Sequence, residues 1–543
     1  MAQLRGTAEQ TPQAPAVFSR QASGLIRVGG SFDVFIYNVG LVSVGIAIAF
    51  NQFYGPSLYP GAQPWLATIL AALGMLAVAT TFYFWSVVFP RSGGTYVFLS
   101  RSTKPGLAFV MSLIETVILL YYAALAASLI VTAGLASFFY TVGLISGSST
   151  LESWATSVGQ PRGVFWIGTL ILLAAGALLA SGTRRYFSFQ RVLFVVAVVG
   201  MSVLLVAMLV GSRSSFQTHL ATLTGLQYDD VIRKATATGY KPSGFSFSES
   251  VKFMVWPLLP LLGAVQSVGI GGEVKKIQRS QLFGMLGAVI ACGVVIALFA
   301  VLSNKAFGYD FQGAIAYNAI NGNADGTTAT LPYFTVLAGI LTSNVVIAVI
   351  IMAVFVAWIW FWIPAEIAYT TRSMIAWSFD RVAPDGLGWV SERFHTPIIA
   401  IGLSTAGSIA FMWLIAFKAI AFLTLVEVLL VIWGTAMVAA VVFPRSRRQF
   451  FDSSPAKRAR VAGLPLMSIA GAVSTLFFLA MIYLLWNDTN AAGPLLTLHH
   501  VSTEFWIVVA IVVVGTAWYV GTKLYRRRQG IELSLAFQQI PIE

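Results

Sequence analysis

Long apolar runs separated by short polar breaks set the pattern of this chain. They lie at approximately 33–53, 65–89, 106–140, 164–181, 191–211, 252–272, 281–303, 333–370, 397–417, 420–443, 464–486 and 504–523. A helix needs about 20 apolar residues to cross a bilayer core of about 30 Å. The runs are apolar all round rather than alternating, which predicts membrane helices and not barrel strands. The expected fold is therefore all-α and polytopic, with twelve transmembrane helices. The eighth run is long enough to be tilted or to extend past the membrane.

The polar stretches divide the chain into a tail (1–32), a five-helix group (33–211), an outer loop (212–251) and a second five-helix group (252–443). A loop (444–463), two last helices (464–523) and a second tail (524–543) follow. The outer loop is rich in Ser and Thr and reads as a tolerated insertion. Residues 1–31 are polar, and no short apolar core with a small-residue cleavage site precedes span 1, so no cleaved leader is expected.

The two five-helix groups enter the membrane from opposite sides, as an inverted repeat requires. The first helix of each is interrupted by small residues. Span 1 carries Gly40 and Gly45, and span 6 carries Pro260, Gly263, Gly269, Gly271 and Gly272. Gly and Pro weaken a helix. One such cluster alone reads as close packing, but a matched pair predicts broken helices around a mid-membrane binding site.

Composition agrees. Of 543 residues, 57% are hydrophobic and only 10% are charged, against roughly 25% charged in soluble domains. That excludes a cytosolic enzyme or a disordered scaffold. One cysteine, Cys292, and four histidines support neither a disulfide framework nor a structural metal site. No nucleophile–base–orienter set appears, and neither enzyme activity nor a cofactor is expected.

Charge sets orientation. With both termini in the cytoplasm, 25 of the 33 basic residues fall on the inner side and eight outside. The positive-inside rule supports that placement. The net charge of +13 is thus topological, with anionic headgroups as its partner, and nucleic-acid binding is not expected.

Three motifs carry a family resemblance. Pro90, Gly93, Gly94 and Tyr96 follow span 2; Glu273, Val274, Lys275 and Lys276 follow span 6. Arg372, then Phe379-Asp380-Arg381-Val382-Ala383-Pro384 and Thr396-Pro397, connect spans 8 and 9. Over about 33–443 the chain resembles the amino acid–polyamine–organocation (APC) transporter superfamily. The resemblance implies a LeuT-type five-plus-five inverted repeat with two further C-terminal helices. It also implies secondary transport of amino acids or related amines by alternating access, in the plasma membrane.

In that family the breaks in spans 1 and 6 bind substrate. The matching residues are Ser43, Val44 and Gly45, and Gly263, Ala264 and Gln266. Half-helix amides there suit a carboxylate. Ser43 stands where the family has glycine, and its hydroxyl is a possible donor to substrate. Leu259 replaces an aromatic gate, with Trp256 one turn earlier. Val265 replaces an acid found in some members, which argues against a dibasic substrate.

The usual coupling sites are missing. Span 8 has no Ser or Thr from Asn344 to Tyr369, which does not support a sodium site. Span 5 has no lysine. A coupling proton, exchange or facilitated transport remain open. Intramembrane carboxylates are candidates because charge at mid-bilayer costs about 2.5–3.5 kcal/mol. Glu115 and Glu427 are the candidate proton or substrate carboxylates, whereas Glu366 reads as a local ion pair with Arg372. Trp358 and Trp362 read as packing or lipid anchors, although they share a face that could line a pocket. The alternatives are transport of another solute, such as a nucleobase or organic ion, and a non-transporting subunit or sensor.

Overall fold

The computed structural model describes residues 24–323, 332–418, 425–488, 490 and 501–538. Among them are 12 helices long and apolar enough to cross a membrane. They are Ser31–Leu58, Pro64–Val88, Pro105–Ser146, Pro161–Ala180, Thr183–Val210, Phe247–Gly269, Ile277–Phe307, Val345–Phe379, Ile398–Ala416, Val426–Ser446, Leu466–Asn487 and Phe505–Arg528. The protein is an all-α, multi-pass membrane protein. The predicted start of span 10 at 420 lies outside the described residues.

Burial sorts the helices into centre and rim. The most apolar stretches of spans 1 and 6 are each 83% buried, whereas that of span 12 is 6% buried. Span 5 presents Val192, Val195, Val199 and Val206 outward, the apolar surface that a lipid solvent requires.

Both central helices are broken. Span 1 consists of Ser31–Val42 and Val44–Leu58, separated by Ser43 at φ 49° and ψ 69°. Left-handed backbone is uncommon for a residue with a side chain. Span 6 runs Phe247–Phe253 and Val255–Leu261, then tightens into a 3₁₀ turn over Leu262–Gly269. Pro257 and Pro260 lack the N–H that a continuing helix needs, and Gly263 follows at once.

Four segments depart from the sequence pattern. The eighth run is two helices, Phe334–Thr342 and Val345–Phe379, separated at Ser343 (φ 45°). The Asn344 side chain accepts the Ile347 N–H at 3.1 Å and starts the second. Continuous apolarity hides that cap, so span 8 begins later and ends nine residues beyond the predicted 370. The outer loop is largely helical, with Arg213–Thr224 and Tyr228–Ala237, and span 6 already begins at Phe247. The stretch after span 7 holds a helix, Tyr309–Ile320. Span 5 starts at Thr183 because its polar first turns, including Arg191, are helical too.

Candidate functional site

The two breaks meet. A Cβ on Gly263 would lie 2.5 Å from the Leu41 carbonyl carbon and 2.8 Å from the Val42 nitrogen. Only glycine lets the two backbones approach so closely. Asn38 secures the junction, donating from Nδ2 to Ser267 Oγ and accepting the Ser267 N–H, both at 3.0 Å. Ser267 Oγ in turn donates to Gln281 Oε1 at 2.6 Å. These side chains occupy polar groups that the interrupted helices leave buried.

Beside this junction lies a cavity of ≈ 20 Å³, room for about one water. Leu41, Val42 and Ile46 of span 1, and Leu259, Gly263 and Gln266 of span 6, line it. Tyr122, Trp362, Glu366 and Leu429 complete the wall with Phe50, Pro260 and Leu262. Of the expected binding residues, Gly263 and Gln266 therefore reach the cavity. Ser43, Val44, Gly45 and Ala264 are buried next to it without lining it. The Ser43 hydroxyl donates to the Trp358 carbonyl at 3.1 Å, tying the span-1 break to span 8.

Glu366 corrects the sequence reading. It pairs not with Arg372 but with the Trp362 indole, which donates to its Oε1 at 2.7 Å. Six residues span about one and two-thirds turns, so Glu366 and Arg372 leave the helix on different sides. Trp362 stands four residues away on the same face and lines the cavity rather than anchoring in lipid. The argument against a dibasic substrate fails with it, because an acid from span 8 does stand beside the span-6 break. The available signal was the Trp362–Glu366 spacing next to Pro364 within an otherwise apolar helix.

The other candidate carboxylates lie apart from the cavity lining. Glu115 accepts from the Thr95 hydroxyl, from Tyr369 at 3.1 Å and from the Trp433 indole at 2.7 Å. It ties span 3 to the segment after span 2, to span 8 and to span 10. Glu427, in the first turn of span 10, accepts from the Trp486 indole at 2.7 Å.

The motif residues gather at the end where span 1 begins. Arg372 grips Glu273 through Nε at 2.7 Å and Nη2 at 3.0 Å. Thr183 donates to the same carboxylate at 2.7 Å. The backbone N–H groups of Val28 and Gly29 both donate to the Glu273 carbonyl at 3.0 Å, and Lys275 N–H returns to the Gly29 carbonyl at 2.8 Å. Gly93, at φ 112°, donates its N–H to the Gly269 carbonyl at 3.0 Å. Tyr96 is fully buried, Pro90 lies just before this turn, and Pro384 precedes the turn Asp385–Gly388. Arg101 and Asp380 form a second buried pair, at 2.6 and 2.8 Å. Beyond these, Arg191 of span 5 binds Asp33 of span 1 at 2.6 Å.

Aromatic rings pack at the other end of span 1. Tyr54 stacks on Trp256 with ring centroids 3.7 Å apart and planes 15° apart. Phe50, which lines the cavity, meets Trp256 edge-on at 6.3 Å.

A bundle of membrane helices, two of them broken where they enclose a small cavity with a buried acid and amide, is the build of a small-molecule transporter. The family comparison makes the class specific. The family described as "Amino acid permease" matches residues 30–516, and the chain belongs to that family, within the APC superfamily. It is thereby a transporter of amino acids or amines. Among curated proteins, none matches the chain.

Proposed function

We propose that this permease is a secondary transporter that moves its substrate across the plasma membrane by alternating access, with both termini cytoplasmic. The observation that carries the reading is the meeting of two broken helices, at Ser43 and Gly263, over a cavity holding Gln266 and Glu366. A matched pair of breaks fits the inverted halves 33–211 and 252–443. The basic residues support the cytoplasmic placement of the ion-paired end.

Transport divides into two gates on this reading. The ion-paired network around Glu273 and Asp380 is the cytoplasmic gate, and the Tyr54–Trp256 stack is the outer lid. Closure of both leaves room for only about one water, so substrate enters when one of them parts. The half-helix beginning at Val44, with Gly45 in its first turn, closes against the span-6 break and moves with the gates. Ser43 and Ala264 shape the same turns.

Coupling falls to a carboxyl placed where helices must slide past each other. Glu115 joins four elements, with Tyr369 the titratable group facing it and Glu366 the other buried acid on span 8. Glu427 stands at the start of span 10 and has a smaller claim. A proton is the proposed coupling ion.

Uptake of a labelled mixture of amino acids and amines into proteoliposomes, with and without an inward proton gradient, tests this. Accumulation driven by the gradient is expected. Uptake that requires only internal substrate makes the protein an exchanger. No uptake by folded protein under any condition overturns the transporter reading.

A further inference from the structure

Two buried oxygen atoms in the cavity wall have no partner: Oε2 of Glu366 and Oε1 of Gln266. Their residues are 0% and 4% exposed. A buried polar atom without a partner costs roughly 1–3 kcal/mol, more when it is charged. Both atoms accept hydrogen bonds when the carboxyl is ionised, and both belong to groups lining one cavity. The Gln266 amide also lies beside the Glu366 carboxyl, yet these two oxygens keep no donor, and an alkylammonium group presents three.

Charge narrows the choice. Glu366 carries the one carboxyl group among the residues lining the cavity; the others are apolar or aromatic apart from Gln266. An ammonium paired with Glu366 leaves the site neutral. A zwitterionic amino acid adds a carboxylate, leaving one net negative charge in a setting poor in water, where uncompensated charge is expensive. Leu41, Ile46, Leu259 and Leu429 offer hydrocarbon contact to the rest of the molecule.

We propose that Glu366 and Gln266 form the ammonium-recognition site of this permease, and that it selects a monocationic organic amine with an apolar body over a free amino acid. The inference rests on the transporter reading above and names its substrate class. Trp362 is a positioning residue, holding the carboxyl by its indole N–H.

Calorimetric titration of the purified full chain in detergent tests it with two matched series. One is phenethylamine, phenylalanine and phenylpropionate; the other is isoamylamine, leucine and isocaproate. At least one amine should bind about tenfold more tightly than its amino acid, and neither acid should bind. Glu366→Gln keeps an acceptor for the Trp362 indole and removes the charge. It should weaken that amine by about tenfold or more, with an unchanged elution profile on size exclusion. Gln266→Leu should weaken it several-fold.

An amino acid binding more tightly than its amine overturns the proposal, and so does amine affinity within about twofold of wild type in Glu366→Gln. The transporter reading survives either result if the labelled mixture is still taken up. No binding in either series overturns the proposal as well, and joined with absent uptake of the mixture it overturns the transporter reading too.

Discussion

Arg372 and Glu273, 99 residues apart in sequence, form a two-pronged ion pair at 2.7 and 3.0 Å. Their side chains are 3% and 1% exposed. The pair locks the end of span 6 onto span 8, and the Glu273 carbonyl holds the strand-like segment before span 1. A buried pair adds little net stability over an apolar substitute, but removing one partner strands a charge at about 3–5 kcal/mol. Glu273→Ala should therefore lower the melting temperature in detergent more than the double variant Glu273→Ala/Arg372→Met. Losses that simply add across the single variants would show that the two residues act separately.

Gly263 carries a steric prediction. Its α-carbon faces the backbone of Leu41 and Val42, and any Cβ there must displace main chain rather than a flexible side chain. Gly263→Val should abolish uptake while the protein still inserts and purifies, because the two broken helices can no longer close on each other. Gly263→Ala should retain a fraction of the rate. Uptake at the wild-type rate by the valine variant would move the substrate site elsewhere.

Much of this was legible from the chain. The twelve spans are written in apolar runs of bilayer length, and the breaks in spans 1 and 6 in clustered Gly and Pro, residues that weaken helices wherever they occur. The split of the eighth run was hidden because Leu341 and Val345 continue the apolar pattern across Ser343 and Asn344. Glu366 was misread for a different reason. Pairing it with the nearest arginine in sequence ignores the helical turn, and the true partner of Arg372 comes from another helix altogether. The Arg101–Asp380 pair, 279 residues apart, likewise has no local signature. Long-range pairing between motif residues is a property of the packed bundle, which the sequence pattern does not reach.

Glu115 has three donors from three different elements. Replacing it with Gln sets an amide N–H₂ against at least one of these donors, at roughly 1–3 kcal/mol. Glu115→Gln should lower the melting temperature and flatten the pH dependence of uptake, since the carboxyl no longer gains or loses a proton as its neighbours part. A lowered melting temperature with the pH profile intact would make Glu115 a structural tie and leave the proton site to be found elsewhere.

The outer lid gives the last test. Trp256 contributes the stacking surface on which Tyr54 rests and the edge against which Phe50 closes. Such ring pairs add about 0.5–1.5 kcal/mol beyond their buried area, so losing both should favour an open outer side by up to about 3 kcal/mol if they were additive. The single natural cysteine, Cys292, is buried and can be replaced by Ser. In that background Leu259→Cys, in the cavity wall, reports access to a membrane-impermeant thiol reagent added outside. Trp256→Ala should speed its modification by about tenfold, the ratio that 1.4 kcal/mol supplies, because a population closed at both ends becomes one open outward. An unchanged rate would mean that Tyr54 and Trp256 do not control entry and that the outer barrier is made by other residues.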